Sequence, residues 1–297
     1  MTKPRSFTAI VNPTAGAARG SGQAALQAVT GPLRAAGARV TVEYSRGLEH
    51  AAALARDAVG RGDVVLGVGG DGMAGCVGGA VAGTDGVVGI VPAGRGNDFA
   101  RQLGVGDASE LAGLMLDGEP RAVDVIEVTG ADGPPKIVLG SVYAGVDAVA
   151  NRNANSSRLL RGSAAYYVGA LRAVVTWRPA VYRVTVDGRR HDRRGYTVVA
   201  ANSGFYGFGR HVAPDARVDD GLLDIVIIRH APKPTFFAVM KELEHGTHVR
   251  RANVEVLRGR EVRIEADRAL PYGADGELIG TLPVIVRVLP GALRVLA

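Results

Sequence analysis

Apolar positions follow two different rhythms along the chain. In the first 120 or so residues, short apolar runs alternate with helical periodicity. Phe7–Val11 is a short β-branched and apolar run that ends at the turn signal Asn12-Pro13. Gly22–Ala36 places Leu26, Val29 and Leu33 on one helical face, Val40, Val42 and Tyr44 alternate as a strand, and Leu48–Val59 is an Ala-rich helix. Val64–Val68 and Val87–Val91 are continuous apolar runs of the kind a parallel sheet buries on both faces, with a short helix near Met73–Val81 between them. Strand, helix and strand in this order predict βαβ units, with helices on both faces of a parallel sheet.

Beyond residue 122 the rhythm shortens. Strand-like runs occur at Val123–Val128, Ile137–Val142, Val181–Val186, Tyr196–Ala200, Leu223–Ile228, Val254–Leu257, Val262–Ile264 and Val284–Leu289. Turn signals such as Asp132-Gly133 and Asp187-Gly188 separate them, and one longer helical stretch, Ala164–Trp177, interrupts them. The pattern predicts an antiparallel, sandwich-like second domain. The expected organisation is an α/β domain over residues 1–122 and a β-sandwich over 123–297. They pack directly without a flexible linker, and the last strand is available to pack back on the first domain.

Composition sharpens this picture. The balance of 47% hydrophobic and 22% charged residues is that of a globular protein, and the single cysteine, Cys76, excludes a disulfide framework and any multi-cysteine metal site. Cys76 lies among small residues and is read as packing. The net charge of +6 is unevenly placed: residues 1–124 carry 11 Lys+Arg against 12 Asp+Glu, and residues 125–297 carry 24 against 17. The basic second half points to an anionic partner or to a solvated Arg-rich face. Two basic loop stretches, Arg152–Arg161 and Arg189–Arg194, could meet anionic headgroups. No apolar run approaches the ~18 residues of a membrane span, and the apolar run after the N-terminus is too short for a signal peptide. The expectation is a soluble, cytoplasmic protein that touches membranes peripherally. With aromatics at 5% and no stacking platform, nucleic acid is not an expected partner. His245 and His248 lack a third metal ligand and are expected at the surface. Oligomeric state is not legible, and a homodimer stays open.

Three glycine-rich turns carry candidate chemistry. Gly67-Val68-Gly69-Gly70-Asp71-Gly72 lies between an apolar strand and a helix, where backbone can approach a ligand closely and a helix N-terminus offers N–H groups to an anion. It is neither a Rossmann fingerprint nor a Walker A loop. Pro92-Ala93-Gly94-Arg95-Gly96-Asn97-Asp98-Phe99 has the same placement after the next strand, and Asn12-Pro13-Thr14-Ala15-Gly16 follows the first. Turns at the carboxyl ends of neighbouring parallel strands form one crevice.

In this order and spacing, Asn12-Pro13, Gly69-Gly70-Asp71-Gly72 and Pro92-Ala93-Gly94-x-Gly96-Asn97-Asp98-Phe99-Ala100 resemble the catalytic domain of the diacylglycerol kinase family, which groups bacterial lipid kinases with sphingosine and ceramide kinases. The resemblance covers nearly the whole chain. It implies a nucleotide-binding α/β domain followed by a β-sandwich, and ATP-dependent phosphorylation of a lipid hydroxyl. Diacylglycerol is the expected acceptor, giving phosphatidate, with ATP and Mg²⁺ as cofactors.

The resemblance also assigns roles. Gly69, Gly70, Asp71 and Gly72 would hold the ATP phosphates, with Asp71 near Mg²⁺, while Gly94–Asn97 would line the other side of the nucleotide and Asn12 the first loop. Ser45 falls where the family often has a nucleotide-contacting Thr. Met73 and Arg95 stand where the family usually has Thr; Arg95 adds a guanidinium that could pair with phosphate, or it is a solvent-facing loop charge.

Two acidic stretches complete the candidates. Asp215–Asp224 packs four carboxylates into ten residues, which suits a hard cation or simply a polar turn. The resemblance implies a structural Mg²⁺ site there, held by Asp220 and the carbonyls of Arg217 and Leu222. Asp275-Gly276-Glu277 alone is a hairpin turn, whereas the resemblance makes Glu277 the general base that the acceptor hydroxyl needs. It also makes Asp124 a link from the metal to the active site through water, with an interdomain structural role as the alternative. Rival readings are an NAD kinase-like enzyme sharing the Gly-Gly-Asp-Gly loop, and a nucleotide-binding regulator that has lost catalysis.

Overall fold

The computed structural model describes residues 5–13, 19–106, 108–131, 133–156 and 172–297. The first part comprises β1 (Ser6–Val11), α1 (Arg19–Ala35), β2 (Arg39–Tyr44), α2 (Leu48–Gly60), β3 (Val64–Gly69), α3 (Asp71–Val81), β4 (Val87–Pro92), α4 (Asp98–Gln102) and α5 (Ala108–Asp117). The four strands pair in parallel in the order β2-β1-β3-β4. Side chains alternate across this sheet. Phe7, Ala9 and Val11 pack with Leu26, Val29 and Leu33 of α1 and with Leu111 and Met115 of α5. Ile10, Val65 and Val88 pack with Ala51, Ala55 and Ala58 of α2 and with Val77 and Val81 of α3 on the other face. The two periodicities of the sequence therefore meet as the two layers flanking one sheet.

The second part comprises β5 (Arg121–Gly130), β6 (Lys136–Val138), β7 (Ser141–Gly145), α6 (Val146–Ser156), β8 (Ala180–Val186), β9 (Arg189–Ala201), β10 (Phe205–Tyr206), β11 (Arg210–His211), β12 (Leu223–Arg229), α7 (Lys233–Glu242), a short 3₁₀ turn (Thr247–Arg250), β13 (Val254–Gly259), β14 (Glu261–Ala266), β15 (Pro271–Ala274), β16 (Glu277–Thr281) and β17 (Val284–Leu296). These strands pair with one another antiparallel and form a C-terminal β-sandwich around a core that includes Val142, Tyr182, Val198, Ile225 and Phe236.

The 13-residue β17 joins the two parts. Its first half lies antiparallel between β5 and β14, and Arg294–Leu296 then pair in parallel with β4. The β5–β17 register shifts between Leu289 and Leu293. Asp124 of β5 lies opposite this irregularity and is 2% exposed. Its carboxylate accepts the N–H of Gly291 at 2.8 Å and of Gly221 at 2.7 Å.

Several sequence expectations change here. Ile137–Val142 is two strands, β6 and β7, broken at Leu139-Gly140, whose N–H groups turn away to a side chain, Asp275. Arg189–Arg194 is not a loop but the first half of β9, where Arg190 pairs with Asp192 and Arg193 with Glu255. Arg152 lies in α6, and the rest of that basic stretch, from residue 157, is outside the described residues. Of the helical stretch Ala164–Trp177, residues 172–176 are helical and 164–171 fall outside the described residues. His248 is not at the surface: it is fully buried, with Nε2 3.0 Å from the Val212 carbonyl. Burial depresses its pKa, a trend its contacts with Val212 and Glu242 oppose.

The end of the sheet opposite the glycine turns is pinned by Asp63, just before β3. Its carboxylate accepts from Ser6 Oγ (2.5 Å), Thr8 Oγ1 (2.8 Å), Arg61 Nε (3.3 Å) and Arg39 Nη2 (3.3 Å). Burial pushes this carboxyl up, but the four donors outweigh it and hold it below its ordinary value. Asp63→Asn is expected to lower stability by about 2 kcal/mol, because hydrogen bonds to a charged group contribute roughly 1.5–3 kcal/mol. The folded carboxyl is the more acidic form, so its contribution is complete above the ordinary carboxylate range and is lost as pH falls through the depressed value. Urea unfolding of the two proteins should therefore converge in acid; a constant difference would contradict this role.

Candidate functional site

Strand register gathers the glycine turns along one edge. Val11 pairs with Tyr44 and with Val68, and Gly69 pairs with Pro92. Asn12, Ser45, Gly70 and Ala93 therefore leave the sheet side by side. The turns after β3 and β4 interlock: Ala93 N–H donates to the Gly69 carbonyl at 2.8 Å, and a Cβ on Gly94 would lie 2.4 Å from Gly70 Cα. Only glycine permits that approach. Asn97, in left-handed conformation (φ 53°), closes the second turn. Its Oδ1 accepts Gly94 N–H at 2.9 Å and its Nδ2 donates to Gly94 O at 3.1 Å. No side chain caps the N-terminus of the 11-residue α3, and a Cβ on Gly72 would enter open space. A rigid, glycine-lined crevice beside helix N–H groups suits a polyanion such as a phosphate chain.

Two carboxylates border this crevice. Asp71 Oδ1 accepts Phe99 N–H at 3.1 Å, which ties α3 to α4. Asp98 Oδ1 accepts Gly209 N–H at 2.6 Å, and its Oδ2 accepts Phe208 N–H at 3.2 Å. Both flank Gly96, where a Cβ would lie 2.7 Å from Asp71 Oδ2 and 3.4 Å from Asp98 Oδ2. Burial first, and the Asp71 charge second, push the Asp98 carboxyl up to about 6 against the opposing N–H donors and Arg101.

The second domain reaches the same place through the β15–β16 turn. Asp275 and Gly276 take left-handed conformations (φ 44° and 86°), as a tight hairpin requires. Asp275 Oδ1 accepts Gly140 N–H (2.9 Å) and Ser141 N–H (3.1 Å), and Oδ2 accepts Leu139 N–H (2.8 Å). A Cβ on Gly75 of α3 would lie 3.3 Å from Asp275 Oδ2. Burial raises the pKa of this carboxyl against its three N–H donors, and the Asp71 charge adds to the rise. The turn is thus docked on the helix that begins at Asp71. Glu277 follows it, exposed at the start of β16, and Asn151 of α6 donates to the Gly276 carbonyl at 2.6 Å.

The remaining candidates divide. Ser45 is 3% exposed, and its hydroxyl finds no partner among the described residues. Met73 differs: its side chain is 3% exposed and packs in the core of the first domain, so only its backbone borders the turn. Arg95 is exposed on its loop. Arg217, Asp220 and Leu222 share one turn, tied to Asp124 through the Gly221 N–H and through Asp124 N–H to the Val218 carbonyl at 2.6 Å. Asp220 Oδ1 accepts Leu222 N–H at 3.0 Å, and its other oxygen pairs with Arg258. Oxygen donors of this type suit a hard cation, and Arg258 occupies one oxygen of this carboxylate. Among the described residues no cluster of three or more His, Cys, Asp or Glu is placed to hold one. Asp124 has both oxygens on backbone amides, those of Gly221 and Gly291, at the junction of the two parts.

Sequence reasoning missed two half-buried carboxylates, Asp98 and Asp147. Burial pushes Asp147 up to about 6, opposed by its Thr197 bond and by Arg210. The signal for Asp98 was its place directly after Asn97 in the glycine turn.

Comparisons with known proteins bear on the family and the fold. Residues 6–128 match the family model "Diacylglycerol kinase catalytic domain", and residues 140–297 match "YegS C-terminal NAD kinase beta sandwich-like domain". The chain is 32% identical over 295 residues to a diacylglycerol kinase of Mycobacterium tuberculosis, covering 97% of this chain and 94% of that one. It is 33% identical over 273 residues to a "probable lipid kinase YegS-like" of Chromohalobacter salexigens, covering 86% and 81%. A solved diacylglycerol kinase structure from Bacillus anthracis superposes with a TM-score of 0.75 at 20% identity, covering 100% of this chain and 98% of that one, which shows the fold.

The coupling of the two crevice carboxylates is measurable. Asp71→Asn removes the neighbouring charge and is expected to lower the Asp98 pKa from about 6. Because the folded Asp98 holds its proton more tightly than the unfolded chain, its contribution to stability is present at low pH and is lost as pH rises through that value. Carbon-13 carboxyl titration by NMR reads the shift directly, and an unmoved Asp98 pKa would show the pair to be uncoupled.

Proposed function

The chain belongs to the bacterial lipid kinase family built on the diacylglycerol kinase catalytic domain, and from that premise we propose that it transfers the γ-phosphate of ATP to the free hydroxyl of diacylglycerol, giving phosphatidate. The observation that carries the proposal is the docking of the Asp275-Gly276-Glu277 turn on α3, which brings a carboxylate of the second domain to the crevice of the first.

In this reading the phosphates lie against the N–H groups at the start of α3 and the Gly94–Asn97 turn. Asp71 Oδ2 faces the crevice beside Gly96 and suits a hard cation carried with the nucleotide. Such a cation, when bound, neutralises charge on the phosphates. Ser45 offers its buried hydroxyl to the nucleotide from the end of β2. Glu277 accepts the proton of the acceptor hydroxyl as the oxygen attacks phosphorus, and ADP leaves. Asp275 and Asn151 hold the turn, so Glu277 is positioned by backbone that is already ordered. Catalysis is then mainly positioning and electrostatics, as phosphoryl transfer demands.

Met73 supports activity over a lapsed regulator: its side chain packs beneath the turn and leaves the crevice open. The curated relatives are lipid kinases, so an NAD kinase-like activity is not favoured. No described helix is long and apolar enough to cross a membrane. Peripheral contact with a bilayer belongs to the proposal, because the acceptor resides there.

The test is phosphate transfer from radiolabelled ATP to a panel of lipids in mixed micelles, with NAD as a further acceptor. Wild type is expected to label diacylglycerol in preference to the other acceptors. Glu277→Gln is expected to lose about 10²–10⁴-fold in kcat, the usual contribution of general-base catalysis, with ATP binding retained. Full activity in the variant would remove Glu277 from this role, and preferential labelling of another acceptor would overturn the substrate.

A further inference from the structure

The β10–β11 hairpin of the second domain has an unusual tip. Three consecutive residues take left-handed conformations: Gly207 (φ 54°), Phe208 (φ 71°) and Gly209 (φ 81°). For the two glycines this costs little, but a phenylalanine there is a steric outlier. The residue is nonetheless 54% exposed. The strained position thus leaves much of the residue accessible at the hairpin tip.

The first domain holds this tip in place. Every polar side chain of the five-residue α4 engages the hairpin or its base. Asp98 accepts the N–H groups of Phe208 and Gly209. Arg101 lies 5.8 Å from the centre of the Phe205 ring and packs beneath Gly209. Gln102 Oε1 accepts Gly204 N–H at 2.8 Å, and its Nε2 donates to the Ala216 carbonyl at 3.2 Å. The ring of His211 lies against Phe205 at 4.3 Å between centroids. Since α4 continues directly from the Gly94–Asn97 turn, the hairpin tip is tethered to the wall of the nucleotide crevice. Asp98 and Asp71 flank the same glycine, so the backbone of Phe208, bonded to Asp98, is held beside the crevice.

We propose that Phe208 is an acceptor-contacting, specificity-determining residue, and that Asp98 is the positioning residue that holds it at the rim of the crevice. An exposed apolar ring is ill suited to a polar acceptor and well suited to the glycerol-proximal part of an acyl chain. The inference rests on the lipid kinase reading above.

The experiment compares acceptor KM, ATP KM and thermal midpoint for wild type, Phe208→Gly, Phe208→Tyr and Asp98→Asn, using the lipid that wild type phosphorylates best. Phe208→Gly suits the left-handed backbone, so its midpoint should hold or rise. Its acceptor KM should rise about tenfold or more, the equivalent of losing burial of one phenyl side chain, while its ATP KM stays within about twofold. Phe208→Tyr keeps the ring and should keep the acceptor KM. Asp98→Asn should raise the acceptor KM in the same direction as Phe208→Gly. An unchanged acceptor KM in Phe208→Gly overturns the inference. Should wild type turn over no lipid in the panel, the substrate reading fails by itself. Hydrogen exchange of residues 205–211 then decides: protection by dioctanoylglycerol micelles supports a lipid contact, and exchange identical to that in detergent alone overturns it.

Discussion

The approach of Gly70 to Gly94 is the constraint on which the site depends. Backbone meets backbone here, with no room for a Cβ on the Gly94 side. The turns after β3 and β4 thereby become one wall, and the bond from Ala93 to Gly69 together with the paired hydrogen bonds between the Asn97 amide and Gly94 fix its shape. Polar backbone is exposed to the crevice without freedom to collapse into it. An anion entering the crevice meets donors that are already oriented, which is where a phosphoryl-transfer site draws its catalytic power.

A second constraint carries that wall to the other domain. β17 belongs to the sandwich through β14 and to the parallel sheet through β4. Asp124 fixes the point of transition and the turn at 217–222 together. From there Asn202 bridges the carbonyls of Asp124 and Leu139, and Asp275 gathers the N–H groups of Leu139, Gly140 and Ser141. A line of buried polar contacts therefore runs from the junction to the turn that presents Glu277. Removing any member leaves buried donors or acceptors without partners, which costs more than the bond itself.

Much of this was legible in the sequence, and the limits have physical reasons. The alternation of apolar runs in the first half gave β1 to β4 and α1 to α3 nearly to the residue, because each element buries a face of matching period. The glycine turns and Asp275-Gly276-Glu277 were legible because their backbone demands glycine at fixed places. The short strands β10, β11, β15 and β16 carry too few residues for a period to show. α6 escaped because its polar residues serve specific bonds instead of a solvent face, as Asn151 does in reaching Gly276. Arg189–Arg194 looked like a loop because charge masked a strand whose arginines pair with acids in the sheet. The ion pair of Asp220 with Arg258 was not legible, because the two are distant in sequence.

The account stands most directly on the closeness of the two glycine turns. Isothermal titration of ATP into Gly94→Ala, with Gly113→Ala on the exposed face of α5 as control, tests it. A methyl group at position 94 would lie 2.4 Å from Gly70 Cα and would force the turns apart, whereas one at position 113 meets nothing within 4 Å. Gly94→Ala is predicted to lose about tenfold or more in ATP affinity, equivalent to roughly 1.4 kcal/mol, while Gly113→Ala binds as wild type does. Wild-type affinity in folded Gly94→Ala would contradict the claim that these two turns together form the phosphate site.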